Sequence, residues 1–252
     1  MKKILPALLL LLLAASAQAL RDIDYPFFRD VKELRYETRL KRSGKLLFLE
    51  EVKISEMKYD SKDFLVTHAV TRGKDVERKT VSYYTIRDGL LTAYSHAVET
   101  SKEAKPYQRV EIYYDWNRNE ASFKLKDWEK KKNISHSVKL TDQTIFARDT
   151  TILIPSLICQ KVKEAKISLL IPTGNLFKVR AIFSYAPEDI TINGKKIPCY
   201  RVEFKPDFAL IAWIAPRITF WYLSSPPYYF VRYEGPLGGP FSPTVIQEIT
   251  II

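Results

Sequence analysis

Leu90-Leu91-Thr92-Ala93-Tyr94-Ser95-His96-Ala97-Val98 decides the fold class. Leu90, Thr92, Tyr94, His96 and Val98 alternate with Leu91, Ala93, Ser95 and Ala97, a period of two that a strand converts into two faces. The same alternation sets Phe64, Val66, His68 and Val70 against Leu65, Thr67, Ala69 and Thr71, and Ile112, Tyr114 and Trp116 against Glu111, Tyr113 and Asp115. Between Glu33 and Leu140, runs rich in Val, Ile, Thr, Tyr and Phe are punctuated by Ser43-Gly44, Arg72-Gly73, Asp88-Gly89 and Asn117-Arg118-Asn119. Gly and Asn accept the positive φ of tight hairpins, so these read as turns between antiparallel strands.

One segment breaks the period. From about 150 to 166, Ile154, Leu157, Ile158, Val162 and Ala165 fall on one face of a helix. Asp149 or Thr151 can cap its start, and Pro155, tolerable only near a helix start, places the regular part at about 155–165. Strands resume over 176–185, 197–204, 218–223, 228–233 and 245–251, with a turn at Asn193-Gly194. The pattern predicts a mainly β protein: a curved antiparallel sheet or open half-barrel wrapped around one central helix. No repeat or linker divides it, so residues 20–252 are expected to form one β-rich domain, with a division near 140–149 as the alternative.

The 252 residues carry 40 Lys and Arg against 29 Asp and Glu, a net charge of +11, with 46% hydrophobic and 13% aromatic content. That composition excludes a disordered or collagenous chain. Met1–Ala19 reads as a cleaved secretory signal: Lys2 and Lys3, an apolar run with six leucines from Leu8 to Leu13, then Ala17-Gln18-Ala19. Leu20 is not cysteine, so a lipid anchor is not expected there, and the mature chain is expected in the periplasm or secreted. Export brings Cys159 and Cys199 into an oxidising space, where they either pair or sit as two small buried side chains.

The motifs of catalysis are missing. No Gly-x-Ser-x-Gly elbow, HExxH, phosphate-binding loop or Gly-rich dinucleotide turn occurs, so no enzyme activity and no cofactor are expected. His68, His96 and His136 each fall in phase with apolar residues; if their faces converged, three imidazoles could hold zinc or copper, although separate core histidines explain them as well. Trp213, Phe220, Trp221, Tyr222 and Phe230 belong to an aromatic stripe that either fills a core or lines a pocket for a lipid or other amphiphile. Arg217 or Arg232 would then stand near the mouth to pair a phosphate or carboxylate. Basic runs at Lys102–Lys105, Lys124–Lys126 and Lys130–Lys132 interleave with Trp116, Phe123 and Trp128. Export argues against nucleic acid and in favour of an anionic membrane surface as their partner, with a solvated charged face as the plain alternative. A second expectation is a structural or interaction module in envelope assembly that pairs a sheet edge with a protein partner.

The carboxyl-terminal half resembles the bacterial exported family called domain of unknown function 3108. The resemblance rests on the helix from Asp149, on Ile192-Asn193-Gly194-Lys195 leading into Ile197-Pro198-Cys199-Tyr200, and on Ile218 to Ser224 followed by Tyr228 to Glu234. It covers about 145–252 and implies a curved sheet around a helix, similar in outline to the periplasmic lipoprotein-carrier fold. Phe230-Val231 departs from the Pro-Val expected there, and the basic, aromatic amino-terminal half departs too.

Overall fold

The computed structural model describes residues 33–60, 62–87, 90–141, 144–171, 174–207, 216–237 and 242–250; the signal read at Met1–Ala19 lies outside them. Eight strands come first: β1 (Glu33–Leu40), β2 (Leu46–Tyr59), β3 (Lys62–Arg72), β4 (Val76–Arg87), β5 (Leu90–Lys102), β6 (Lys105–Asp115), β7 (Glu120–Asp127) and β8 (Lys132–Lys139). A short β9 (Thr144–Phe146), a single 3-10 turn and helix α1 (Thr150–Cys159) follow. The chain then forms β10 (Glu164–Leu170), β11 (Leu176–Ile192), β12 (Lys195–Pro206), β13 (Ile218–Leu223), β14 (Phe230–Pro236) and β15 (Thr244–Ile249).

All fifteen strands share one sheet in the order β8-β7-β6-β5-β4-β3-β2-β1-β15-β14-β13-β12-β11-β10-β9. Two meanders are therefore joined where the first strand pairs with the last, Tyr36 opposite Ile249 and Leu40 opposite Val245. The sheet is curved and unclosed, with β8 and β9 at its two ends. The curl brings those ends near each other: β9 lies against β5, and His136 Nε2 on β8 is 3.2 Å from the carbonyl of Gly174 beyond β10. Gly174 has φ +83°, and a Cβ there would meet the His136 ring at 2.6 Å and Phe123 at 2.8 Å, so only glycine allows the backbone at this position to approach those rings so closely.

The helix has a topological cause. β9 and β10 pair in parallel, unlike the antiparallel ladders elsewhere, and a parallel pair needs a crossover connection. That crossover is α1, and it lies on the concave side, touching β5, β9 and β14. Its sequence, TTILIPSLIC, is apolar all round, and Ile152, Leu153, Ile154, Ser156 and Ile158 are all buried, as befits a helix enclosed by a sheet.

The helix boundaries correct the expectation. Helix was read over about 150–166 with a regular part at 155–165, but α1 ends at Cys159 and Glu164 already begins β10. Lys161 adopts φ +54° and its N–H bonds Ile158 O, which turns the chain out of the helix. Ala165 and Ile167 are buried beside exposed Glu164 and Lys166, and Ser168, Leu169 and Leu170 are all buried, a strand that the helix-like spacing of Val162 and Ala165 masked. A second correction concerns β5. The register shifts at Tyr83/Tyr84, with Tyr83 opposite Ser95 and Tyr84 opposite Ala93, so Tyr94 is the extra residue of a bulge. Leu91 and Ala93 before the bulge consequently share the core with His96 and Val98 after it.

Candidate functional site

Residues opposite one another in a ladder point to the same face, so the register maps the concave surface as rows. Across β2 to β7 one row is Glu50, Thr71, Arg78, Thr100, Gln108 and Asp127, all polar. The next row inward is Val52, Ala69, Thr80, Val98, Val110 and Leu125, almost all apolar. The third is Ile54, Thr67, Ser82, His96, Ile112 and Phe123, ending at His136 on β8. Small side chains recur in all three, and Ala69, Thr80 and Leu125 face inward yet are only partly buried. The amino-terminal concavity is not sealed.

The third row anchors the helix. Asp149 is the residue before α1, where a carboxylate ordinarily caps the free N–H groups, but its side chain makes no capping bond. Instead Oδ1 accepts a hydrogen bond from Tyr84 Oη at 2.9 Å, and Oδ2 lies 2.7 Å from His96 Nε2. The latter angle is too poor for an aligned hydrogen bond, and the approach becomes an ion pair when the imidazole is protonated. His96 Nδ1 and Tyr114 Oη are buried beside it with no hydrogen-bond partner among the described residues. Tyr84, Tyr114 and Phe146 ring the imidazole at centroid distances of 5.8, 5.6 and 5.1 Å. Burial, reinforced by the Asp149 charge, pushes the phenols of Tyr84 and Tyr114 well above the usual tyrosine range, so both stay protonated donors. On the other side Tyr222 Oη donates to Thr150 O at 3.0 Å, so one hydrogen bond from each half of the sheet grips the start of the helix.

The carboxyl-terminal concave face is packed differently. Tyr222 and Phe230 are fully buried with centroids 5.9 Å apart, Phe230 meets Tyr36 at 5.4 Å, and Phe220 meets Phe204 at 4.8 Å and Tyr233 at 5.1 Å. These rings close on one another and on α1. Farther along, Tyr185 and Tyr200 share the Lys161 ammonium, 5.0 Å from each ring.

The residues singled out from the sequence fall in three places. Phe220, Tyr222 and Phe230 come together in the core. Trp221 and Arg232 lie on the convex face, where the guanidinium stacks 5.6 Å from the indole and pairs with Glu248 at 3.3 Å and Glu234 at 3.5 Å, while Trp221 Nε1 donates to Glu188. Arg217 is exposed, and Trp213 lies outside the described residues.

The three histidines do not converge. The register puts Thr67, not His68, on the His96 face, so His68 points outward and is exposed. His136 shares the row of His96 but stands three strands away, about 14 Å at the usual strand spacing. Among the described residues no group of three or more His, Cys, Asp or Glu side chains is placed to hold a metal. The thiols of Cys159 and Cys199 are both free. Cys159 packs against the concave core and Cys199 belongs to a convex cluster with Ile192, Ile197 and Val231, so the sheet stands between them. Burial pushes Cys159 up to about 11 and Cys199 up to about 12, and both are protonated at neutral pH. Of the basic runs, the lysines are exposed, but Phe123 is core and Trp116 donates inward to Ala93 O; only Trp128 stays at the surface, beside Lys126.

Sequence reasoning missed Asp149 as a helix anchor and Arg78 as an inward-facing cation. A helix-start aspartate in phase with no apolar neighbour was the available signal for the first. For the second it was Arg78 alternating with Thr80 and Ser82 on one strand face.

The fold is that of known β-barrel-like proteins. It is similar to the crystal structure of a beta-barrel-like protein of domain of unknown function DUF1849 from Brucella abortus, with a TM-score of 0.50 at 9% identity, covering 86% of this chain and 94% of that one. Weaker likenesses extend to a protein with a YmcC-like fold from Bacteroides fragilis (TM-score 0.37, 11% identity, 86% of this chain and 92% of that one). Another is a DUF1329 family protein from Desulfovibrio piger (TM-score 0.32, 8% identity, 94% and 89%). No protein-family model and no curated protein matches the sequence.

Proposed function

We propose that this is an exported, non-enzymatic carrier that holds an amphiphile on the concave face of β2–β7, with α1 as the plug. The observation that carries the reading is the middle row: Ala69, Thr80 and Leu125 face inward but remain partly exposed, next to Val98 and Val110, which are buried. An acyl chain laid on that row would be desolvated at about 0.8 kcal/mol per methylene. The signal-like stretch read at Met1–Ala19 supports the exported part of the reading. The exposed lysines at Lys102–Lys105 and Lys130–Lys132 favour docking on anionic membrane. The packed aromatic rings serve this role as a rigid wall for the helix and not as the ligand site.

Native mass spectrometry of protein purified from its own envelope tests the proposal. A co-purified lipid is the expected result. A stoichiometric protein partner with no lipid would favour instead the envelope-assembly module, for which the free edge of β8 is the available strand. Lys132 and Lys139 on that edge discourage strand addition, which is why the carrier is preferred.

A further inference from the structure

We infer that Arg78 is the headgroup-binding residue of the concave face and that the ligand bears an anionic head, a carboxylate or a phosphate. The inference deepens the carrier reading and rests on it. Arg78 sits near the start of β4 with its side chain inward, flanked by Thr71 on β3 and Thr100 on β5. It is half-buried, and among the described residues no carboxylate is in ion-pair contact with it. Glu50, the acid whose charge reaches it, is already engaged, accepting from Thr71 Oγ1 at 3.1 Å and from Gln247 Nε2 at 2.9 Å. A half-buried guanidinium on a concave face, with no carboxylate in contact, is partly desolvated without the pairing that would offset the cost. An incoming oxyanion would supply the pair, and the planar fork suits a carboxylate or phosphate.

The surroundings agree in chemistry and in place. Immediately inward of Arg78 lies the apolar row with Ala69 and Val98 diagonal to it, so a head at Arg78 leaves its chain on Val52–Leu125. Immediately outward lie the hairpins that close this end of the sheet: Lys41–Lys45 between β1 and β2, Lys102–Lys105 between β5 and β6, and Lys130–Lys132 between β7 and β8. A basic rim raises the local concentration of anionic ligands and steers them toward the arginine within. Arg35, Arg39, Arg72, Arg109 and Arg201, by contrast, lie at the surface in ion pairs with Glu.

The test compares palmitate with uncharged cetyl alcohol, and dodecyl phosphate with inorganic phosphate, on the full mature chain and on Arg78→Gln and Arg78→Lys. Palmitate and dodecyl phosphate are expected to bind more tightly than cetyl alcohol. Arg78→Gln should weaken them about ten- to a hundredfold while leaving the alcohol unchanged, with Arg78→Lys between. Equal affinity of the unmodified protein for acid and alcohol would overturn the headgroup assignment and leave the carrier reading standing. Binding of none of the four would end both. If inorganic phosphate bound as tightly as dodecyl phosphate, the site would belong to a free anion and the assignment to an amphiphile head would fail. Unchanged binding of cetyl alcohol by Arg78→Gln separates loss of the headgroup contact from unfolding, which would abolish binding of acid and alcohol alike.

Discussion

The two halves of the sheet make opposite use of their concave faces. In β10–β15 the inward positions are closely packed aliphatic residues and, over β12–β14, large rings in mutual contact, with Tyr222 and Phe230 buried. In β2–β7 the two outer rows hold Thr, Val, Ala, Leu, Glu, Gln, Asp and one Arg, and several remain partly wet, while the rings Tyr84, Tyr114 and Phe123 lie deeper, on the side of His96 and the helix start. Aromatic density therefore marks the wall that stabilises the fold, while small and polar residues mark the face with room for something else. The sharpest way to break this contrast is truncation on each side. Tyr222→Ala should cost about 3–5 kcal/mol, since it removes a buried ring and the bond to Thr150 O. Leu125→Ala, half-buried on the open side, should cost under about 2 kcal/mol. Urea denaturation midpoints measure both, and similar losses would abolish the distinction.

The helix start is where the halves meet, and its anchor comes next in size. Asp149→Ala leaves the Tyr84 hydroxyl buried without its acceptor and removes the carboxylate beside the His96 imidazole, at an expected cost of about 2–3 kcal/mol. Tyr84→Phe removes one hydrogen bond and leaves the carboxylate its approach to His96, so about 1 kcal/mol is expected. Reversing that order would mean that the carboxylate does no more at the helix start than accept from Tyr84.

How much of this was written in the sequence follows from what periodicity can carry. Alternation in Leu90–Val98 and its neighbours identified strands and turns because side chains on a strand have no choice but to alternate. The turn at Asn193-Gly194 has φ +50° and +76°, as its residue types require. The stretch Ile218 to Leu223 is β13 with the same bounds, and Phe220 and Tyr222 do part from Trp221 and Leu223. What alternation cannot say is which face is concave. Arg232 was a reasonable headgroup residue until the register put it beside Trp221 on the convex side, and Arg78 passed unnoticed because its row exists only once six strands are laid side by side. A bulge also shifts the phase within one strand, as at Tyr94, and no local signal announced it.

Titration reaches both halves with one sign. Burial raises the phenols of Tyr36, Tyr84, Tyr114, Tyr222 and Tyr233 above their unfolded value, and brings Tyr185 up to about 12, Cys159 up to about 11 and Cys199 up to about 12. Each acid is neutral in the folded state, so its contribution is complete below the unfolded values of thiols and phenols and is lost as pH rises through the folded ones. Stability is thus expected to be level through neutral pH and to fall progressively above about pH 9. Thiol labelling in the same series should count two free cysteines per chain, Cys159 reacting in the folded protein before Cys199. Recovery of a bridged chain from the envelope would contradict their placement on opposite faces of the sheet.

The smallest effect belongs to the convex face, and it is informative because it is small. Arg232 stacks on Trp221 and pairs with Glu234 and Glu248, contacts that are partly wet and long at 3.5 and 3.3 Å. Exposed and half-exposed ion pairs contribute little, so Arg232→Gln should cost no more than about 1 kcal/mol. Its consequence for palmitate should be nil, since the sheet itself lies between this arginine and the concave rows. Arg78 and Arg232 thus contrast the two faces of the sheet: the same side chain, paired with carboxylates on the convex side at Arg232 and, among the described residues, with no carboxylate in ion-pair contact on the concave side at Arg78. If Arg232→Gln weakened palmitate as much as Arg78→Gln did, the ligand would be reading overall charge, and the inward direction of Arg78 would carry no meaning for binding.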